Sequence, residues 1–216
     1  MLIQINVYQP PGNLAGYFYL VMVTKPTGEK NQYVVRIHHL PAPLQGIFTD
    51  QYDLNDIANN FFMTDFFALN KLSAEIDQFA KDTSMRYSAD ELYEFLGTGI
   101  GGAVKHFVEN HHPHAIVAVP TRPGLGRFYD EIMRDHSAAL VIIITNHIRS
   151  FLYMYLKPNA KTVNGLTRDD VLRIARTDRL EGAKSLSEAV KTSGAGYLGE
   201  SIPAATVRAR RTLRHS

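Results

Sequence analysis

Apolar and polar positions alternate along three segments at the start of the chain. Residues 2–8, 17–24 and 32–38 are rich in aromatic and β-branched side chains, and turns with proline or glycine separate them. This pattern predicts three strands in an antiparallel meander, which ends at Pro41 and Pro43.

A helical period replaces the alternation after Asp53, a residue type that favours the N-terminal cap of a helix. The apolar residues that recur at helical spacing are Leu54, Ile57, Phe61, Phe62, Phe66 and Leu69. Two further helices are predicted at residues 73–81 and 88–95, the second because it opens with a capping-box sequence. Together these helices predict an α-rich insertion over residues 53–95.

A parallel crossover is predicted in the middle of the chain. Glycine dominates residues 97–102, which precede an apolar helix, and residues 115–120 form an apolar strand of the kind buried on both faces. The next helix and two strands are predicted at residues 125–135, 140–145 and 148–156. Strand, helix and strand in this order favour an α/β (α+β) fold with a mixed, mostly antiparallel sheet flanked by helices.

The hydrophobic density falls in the last quarter of the chain. A helix is predicted at residues 167–179, where a second capping-box sequence occurs, and a weaker helix at 185–191. The remainder has the composition of an extended arm. The sequence therefore predicts one domain over residues 1–157 and a partly helical, basic C-terminal arm over residues 158–216.

Charge is distributed unevenly between these two parts. The 216 residues have a net charge of +2, but residues 157–216 carry four Lys and eight Arg against three Asp and three Glu. The arginines of the last nine residues are Arg208, Arg210, Arg211 and Arg214. A basic terminal run is commonly just solvated, but it also suits an anionic partner, so nucleic acid is one predicted ligand.

Composition and spacing exclude several classes of function. The chain has no cysteine, which removes disulfides and thiol chemistry. We recognise no signal peptide and no apolar run long enough for a membrane span. The histidines at 38–39 and 111–114 have no carboxylate at helical ligand spacing and no His-Glu-x-x-His sequence, so no metal site is predicted.

The glycine-rich segment is the first candidate for binding chemistry. A glycine loop that leads into a helix N-terminus binds anions, because free N–H groups and the positive end of the helix dipole face the ligand. Gly97, Gly99 and Gly101 suit this arrangement, although their spacing matches neither a Walker A loop nor a Rossmann fingerprint. Taken alone, the segment is open to two interpretations, a tight turn or a phosphate cradle.

Residues 95–136 together resemble the core of a GNAT-type N-acetyltransferase domain. The resemblance rests on Gly-Ile-Gly at 99–101 opening a helix, the apolar strand at 115–120, and Arg-Phe-Tyr-Asp-Glu at 127–131. With His-Pro-His at 112–114, this segment is similar to the GNAT-like proteins encoded by tailed bacteriophages. The resemblance covers about a fifth of the chain.

The resemblance implies specific roles for residues of this segment. It implies acetyl-CoA or another acyl-CoA as cofactor, with Tyr129 as the general acid that protonates the thiolate, although Tyr129 also suits core packing. The implied coenzyme-binding residues are Gly97, Thr98, Gly99, Ile100, Gly101, Val117 and Val119. Backbone N–H groups near the two valines would hold the oxyanion. The candidates for the catalytic base, chosen by nearness in sequence, are Glu91, Glu94 and His106.

Two functions follow from the resemblance. The first is a phage-encoded, acyl-CoA-dependent N-acyltransferase. The second is a catalytically degenerate GNAT-fold virion component, whose C-terminal arm binds partner proteins or further copies of the chain. Either function implies the host cytoplasm or the virion as its location. The family usually has Arg or Gln before its glycines, where this chain has Glu94 and Leu96. A coenzyme-sized cleft beside Gly99 favours the enzyme, whereas Phe or Leu side chains that fill it favour the virion component.

Overall fold

A computed structural model of the chain describes residues 1–71, 85–119, 150–153, 165–194 and 196–202. Its strands are β1 (Leu2–Gln9), β2 (Tyr17–Thr24), β3 (Lys30–His39), β4 (Phe61–Ala68), β5 (Ala115–Ala118), β6 (Ser150–Tyr153) and β7 (Tyr197–Ile202). Its α-helices are α1 (Ala42–Gln45), α2 (Leu54–Asn60), α3 (Ala89–Glu94), α4 (Gly101–His111) and α5 (Arg168–Ser193). The predicted elements at 73–81, 125–135 and 140–145 lie outside the described residues, as do Tyr129 and the four C-terminal arginines.

One mixed sheet connects all seven of these strands. Its order is β6-β5-β4-β3-β2-β1-β7. The pairs β4–β3, β3–β2, β2–β1 and β1–β7 are antiparallel. The pairs β4–β5 and β5–β6 are parallel. The predicted mixed, mostly antiparallel sheet flanked by helices is therefore confirmed, and so is the meander of the first three strands.

Helices cover both faces of the sheet. Helix α4 packs on one face against alternate residues of the meander, such as Val21 and Val35. On the other face, the first half of α5 packs with α1 and α2 around Phe61, and its second half packs on Phe18 and Val34. The period-2 pattern of the strands thus divides their side chains between two hydrophobic layers.

Strand β4 replaces part of the predicted helical insertion. The prediction of a helix running from Asp53 to residue 69 is wrong beyond Asn60, where α2 ends. The apolar run that follows satisfies both periods, because Phe61 and Met63 face α5 while Phe62 and Phe66 face α4. Pairing with β3 on one side and β5 on the other selects the strand, since it buries both sets of side chains.

The C-terminal segment is built into the fold. A single helix, α5, spans the two separate helices predicted at 167–179 and 185–191, so that interpretation is wrong. Strand β7 then pairs antiparallel with β1, which places residues 197–202 in the sheet and not in an extended arm. The predicted arm starting at residue 158 therefore contributes a helix layer and an edge strand to the same body.

Local signals set the helix ends as predicted. Ser88 and Thr167 each open a helix with a complete capping box, and the Asp53 side chain accepts a hydrogen bond from the N–H of Asn55. Helix α4 ends before Pro113, with His112 in the left-handed conformation at φ 48°. Among the described residues, none of the helices combines the length and the apolar character that crossing a membrane requires.

Gly196 provides a test of how β7 is attached. A Cβ atom at this position would collide with the carbonyl of Gln9 and the ring of Tyr8, both on β1. We expect Gly196→Ala to weaken the pairing and to speed hydrogen exchange of the β7 amides roughly tenfold. At Gly199 the nearest atom to a Cβ is 3.4 Å away, so Gly199→Ala is the matched control. Equal protection of β7 in both variants would contradict this account of the attachment.

Candidate functional site

The glycine-rich segment lies inside a helix. Helix α3 starts after Ser88 and passes through a π-helical turn, Phe95–Ile100, directly into α4. All six residues of that turn are buried. The prediction of a glycine-rich loop over residues 97–102 that leads into a helix N-terminus is therefore wrong, since the helical segment already starts at Ala89.

These glycines allow the helix to approach the sheet closely. A Cβ on Gly99 would lie 3.0 Å from Val21 Cγ1, and one on Gly102 would lie 2.6 Å from Ile5 Cδ1. The N–H of Gly101 donates to the carbonyls of Leu96 and Thr98, within the helix. A packing role thus accounts for Gly99 and Gly102, and the amide group of Gly101 points along the helix.

The two valines of the predicted oxyanion site belong to the core. Val117 and Val119 are buried in the cluster that includes Phe61 and Met63, on the α5 face of the sheet. Strand β5 is paired on both sides over Ala115–Ala118, with β4 and with β6. Backbone groups of β5 along this stretch are therefore engaged in the sheet ladders.

The three candidate bases have other partners. The Glu91 carboxylate accepts a hydrogen bond from the N–H of Ser88 and lies 3.2 Å from Lys25 Nζ. The Ser88 hydrogen bond and the Lys25 charge lower the pKa of Glu91, which makes it a weaker base. Glu94 lies 3.5 Å from the N-terminal ammonium group, and His106 Nδ1 lies 3.2 Å from the Tyr19 hydroxyl.

A polar cluster lies under α5, between the two hydrophobic clusters on that face. It consists of Arg36 and His38 from β3, Asp65 from β4 and Asp178 from α5, and we call it the Arg36 cluster. Arg36 Nη2 lies 2.6 Å from Oδ2 of Asp65 and 2.6 Å from Oδ2 of Asp178. Arg36 Nε also donates to Asp65 Oδ2 at 3.2 Å, so one guanidinium joins the sheet to the helix through three charge-assisted hydrogen bonds.

Electrostatics in the Arg36 cluster favour the ionised forms. Burial alone would raise the pKa of Asp65, but the charge of Arg36 and its hydrogen bonds hold that pKa well below the usual range. The same carboxylates raise the pKa of Arg36 against the opposing effect of burial. Asp65 is thus a permanent anion whose burial depends on the guanidinium.

Three residues of the Arg36 cluster carry atoms that could serve as ligands to a cation. One ligand atom each of His38, Asp65 and Asp178 lies within 4.8 Å of the others. His38 Nε2 lies 3.2 Å from Asp178 Oδ2 without the alignment of a hydrogen bond. Arg36 already binds both carboxylates, so its positive charge occupies the place that a divalent cation requires. We therefore interpret the cluster as an ion-pair network that fixes α5 on the sheet.

A cavity of about 560 Å³ lies at the loop end of the β1–β2 hairpin. Its walls are the ends of β1 and β2, the loop between them, and His106 and His111 of α4. The Tyr17 ring lies 4.2 Å from the His111 ring, measured between centroids, and the Tyr19 hydroxyl hydrogen-bonds with His106. We call this cavity the hairpin pocket.

Sequence reasoning did not identify the Arg36 cluster or the hairpin pocket. A signal for the first is the presence of Arg36 and His38 among the apolar residues in the second half of β3. For the second, Tyr17 and Tyr19 share one face of β2, two positions apart. The partner side chains, Asp178 and His106, are too distant in the chain to be inferred from pattern alone.

Comparison with known proteins yields no relative. No protein-family model matches the chain, and neither does a curated protein or a solved structure.

The acid dependence of stability tests the role of Asp65. Because its pKa is lower in the folded chain, it stabilises the fold above about pH 4 and loses this contribution as pH falls through the folded value. We expect Asp65→Asn to lower the free energy of unfolding at neutral pH by roughly 1–3 kcal/mol and to flatten its decline in acid. Urea unfolding as a function of pH measures both effects.

The matched control is Asp50→Asn, because Asp50 is an exposed carboxylate. It should leave the neutral-pH stability within about 0.5 kcal/mol of the parent chain. An Asp65→Asn variant that loses stability in acid as steeply as the parent would show that this carboxylate does not govern the transition.

Proposed function

We propose that the chain is a catalytically degenerate GNAT-fold virion component of a tailed bacteriophage, whose C-terminal segment binds partner subunits. The main support for this proposal is the close apolar packing around Gly99. Side-chain atoms of Val21, Phe95 and Ile3 lie 3.0, 3.4 and 3.5 Å from the position of a Cβ on this glycine. Apolar side chains therefore fill the space where the resemblance implies a coenzyme pyrophosphate, and an anion there would be desolvated without a partner.

The topology supports the GNAT-like part of the proposal. Four antiparallel strands, β1 to β4, precede a helix that contains the glycines, and β5 follows parallel to β4. This order of elements agrees with the resemblance found in residues 95–136. The phage origin rests on that resemblance alone.

Acyl transfer from acyl-CoA receives less support. The mechanism requires free N–H groups for the pyrophosphate, and the amide of Gly101 is engaged within the helix. It also requires a base, and Glu91 is held ionised in a capping box beside Lys25. The role of Tyr129 as general acid stays a prediction, because this residue lies outside the described part of the chain.

The β7 edge supports binding of partner subunits. Strand β7 ends the sheet, and its Tyr197 and Leu198 are 71% and 43% exposed. Among the described residues no strand pairs with its outer side, and an edge of this kind suits strand addition by a partner. The partners proposed here are further copies of the chain or other virion proteins. Nucleic-acid binding by Arg208, Arg210, Arg211 and Arg214 stays a prediction.

Self-association tests this function. We expect the purified chain to form oligomers whose fraction rises with concentration in sedimentation velocity, because open edges pair with one another. The double variant Tyr197→Lys and Leu198→Lys should be monomeric over the same range, since charges on an edge oppose strand addition. Leu54→Lys, at a 57% exposed position on α2, is the control and should associate like the parent chain.

Two results would contradict the proposal. One is a parent chain that stays monomeric at every concentration. The other is saturable binding of acetyl-CoA in calorimetry, where we expect no heat and no thermal shift at millimolar ligand.

A further inference from the structure

The hairpin pocket is separate from the glycine-rich segment. Its α4 residues, His106 and His111, lie toward the C-terminal end of that helix, whereas the glycines lie at its start. Its volume of about 560 Å³ falls within the range of small-molecule sites, which is roughly 300–1,000 Å³. The pocket is therefore large enough for a ligand of one or two rings.

The described walls of the hairpin pocket carry no permanent charge. Within the part of the chain that the structure describes, none of the lining residues is Asp, Glu, Lys or Arg. Burial and the neighbouring histidines lower the pKa of His111, so its imidazole is neutral at pH 7. A ligand with a buried charge would lose its hydration here without gaining a counter-ion, which favours an uncharged molecule.

Aromatic rings form one side of the hairpin pocket. His111 lies 4.2 Å from Tyr17 and 4.7 Å from Phe107 between ring centroids, and Tyr17 lies 4.9 Å from Phe107, so the three rings form one group. Tyr17 is 38% exposed, so part of this ring group is open to a ligand. Planar rings stack on such groups with a gain of roughly 0.5–1.5 kcal/mol beyond simple burial.

Polar groups of the hairpin pocket suit a ligand with both donors and acceptors. Burial raises the pKa of Tyr19, so its hydroxyl keeps its proton, and it shares a hydrogen bond of 3.2 Å with His106 Nδ1. Gln9 and Asn13 also line the pocket, and the carboxamide of each residue offers a donor beside an acceptor.

We propose that the hairpin pocket binds an uncharged, planar heterocycle of the nucleobase type. The rings of Tyr17 and His111 would hold its face, and the carboxamides of Gln9 and Asn13 would pair with the donor and acceptor on its edge. Carboxamides form such two-point contacts with adenine edges. This site is independent of the proposed assembly function.

Ligand-detected NMR with adenosine tests the proposal. We expect saturable binding with a dissociation constant of about 0.1–1 mM, together with shifts of histidine imidazole signals. Tyr17→Leu keeps an apolar side chain but removes the ring, and should weaken binding at least about tenfold. His111→Ala, at an exposed position, removes the other stacking face and should have a similar effect. Both variants are checked for folding by circular dichroism.

The controls separate this site from nonspecific stacking. Leu54→Ala removes a 57% exposed apolar side chain outside the pocket and should bind adenosine like the parent chain. Benzyl alcohol has a ring without the donor and acceptor edge and should bind at least about tenfold more weakly. Absence of binding up to about 10 mM adenosine would overturn the proposal, as would equal binding by the parent chain and both pocket variants.

Discussion

The position of α5 on the sheet depends on the ion pairs that the Arg36 guanidinium makes with two carboxylates. The guanidinium lies between a carboxylate of the sheet and a carboxylate of α5, at 2.6 Å from an oxygen of each. Asp65 is almost fully buried, so without Arg36 its charge would have no compensation. Gly182 completes the contact, since a Cβ on this residue would collide with the guanidinium. A helix of 26 residues is thereby fixed across the sheet at one position along its length.

This anchoring has consequences for both ends of α5. Its first half closes the hydrophobic layer around Phe61, and its second half covers Phe18 and Val34. The chain then leaves α5 beside β1, where Gly196 lets β7 come close to Tyr8. The exposed β7 edge, which we assign to partner binding, is therefore presented by the folded body and not by a flexible tail.

Local signals were sufficient to predict the first three strands and the helix caps. Capping residues such as Ser88 and Thr167 act within one turn, so the sequence around them contains the whole interaction. Strand β4 was missed because its apolar run satisfies a helical and a strand period equally, and only its neighbours select between them. The prediction of a glycine loop was wrong for a related reason, since glycine is used both in anion-binding loops and where a helix packs closely on a sheet. Arg36 and Asp178 are 142 positions apart, and no local pattern predicts such a pair.

The coupling free energy between Arg36 and Asp178 measures how strongly this ion pair fixes α5 on the sheet. A double-mutant cycle with Arg36→Met, Asp178→Asn and the combined variant gives it from urea unfolding at neutral pH. We expect a coupling free energy of about 1–3 kcal/mol between the two residues. We also expect faster hydrogen exchange along α5 in each single variant. Additive effects within about 0.5 kcal/mol, with unchanged protection of α5, would show that the helix is held on the sheet by other contacts.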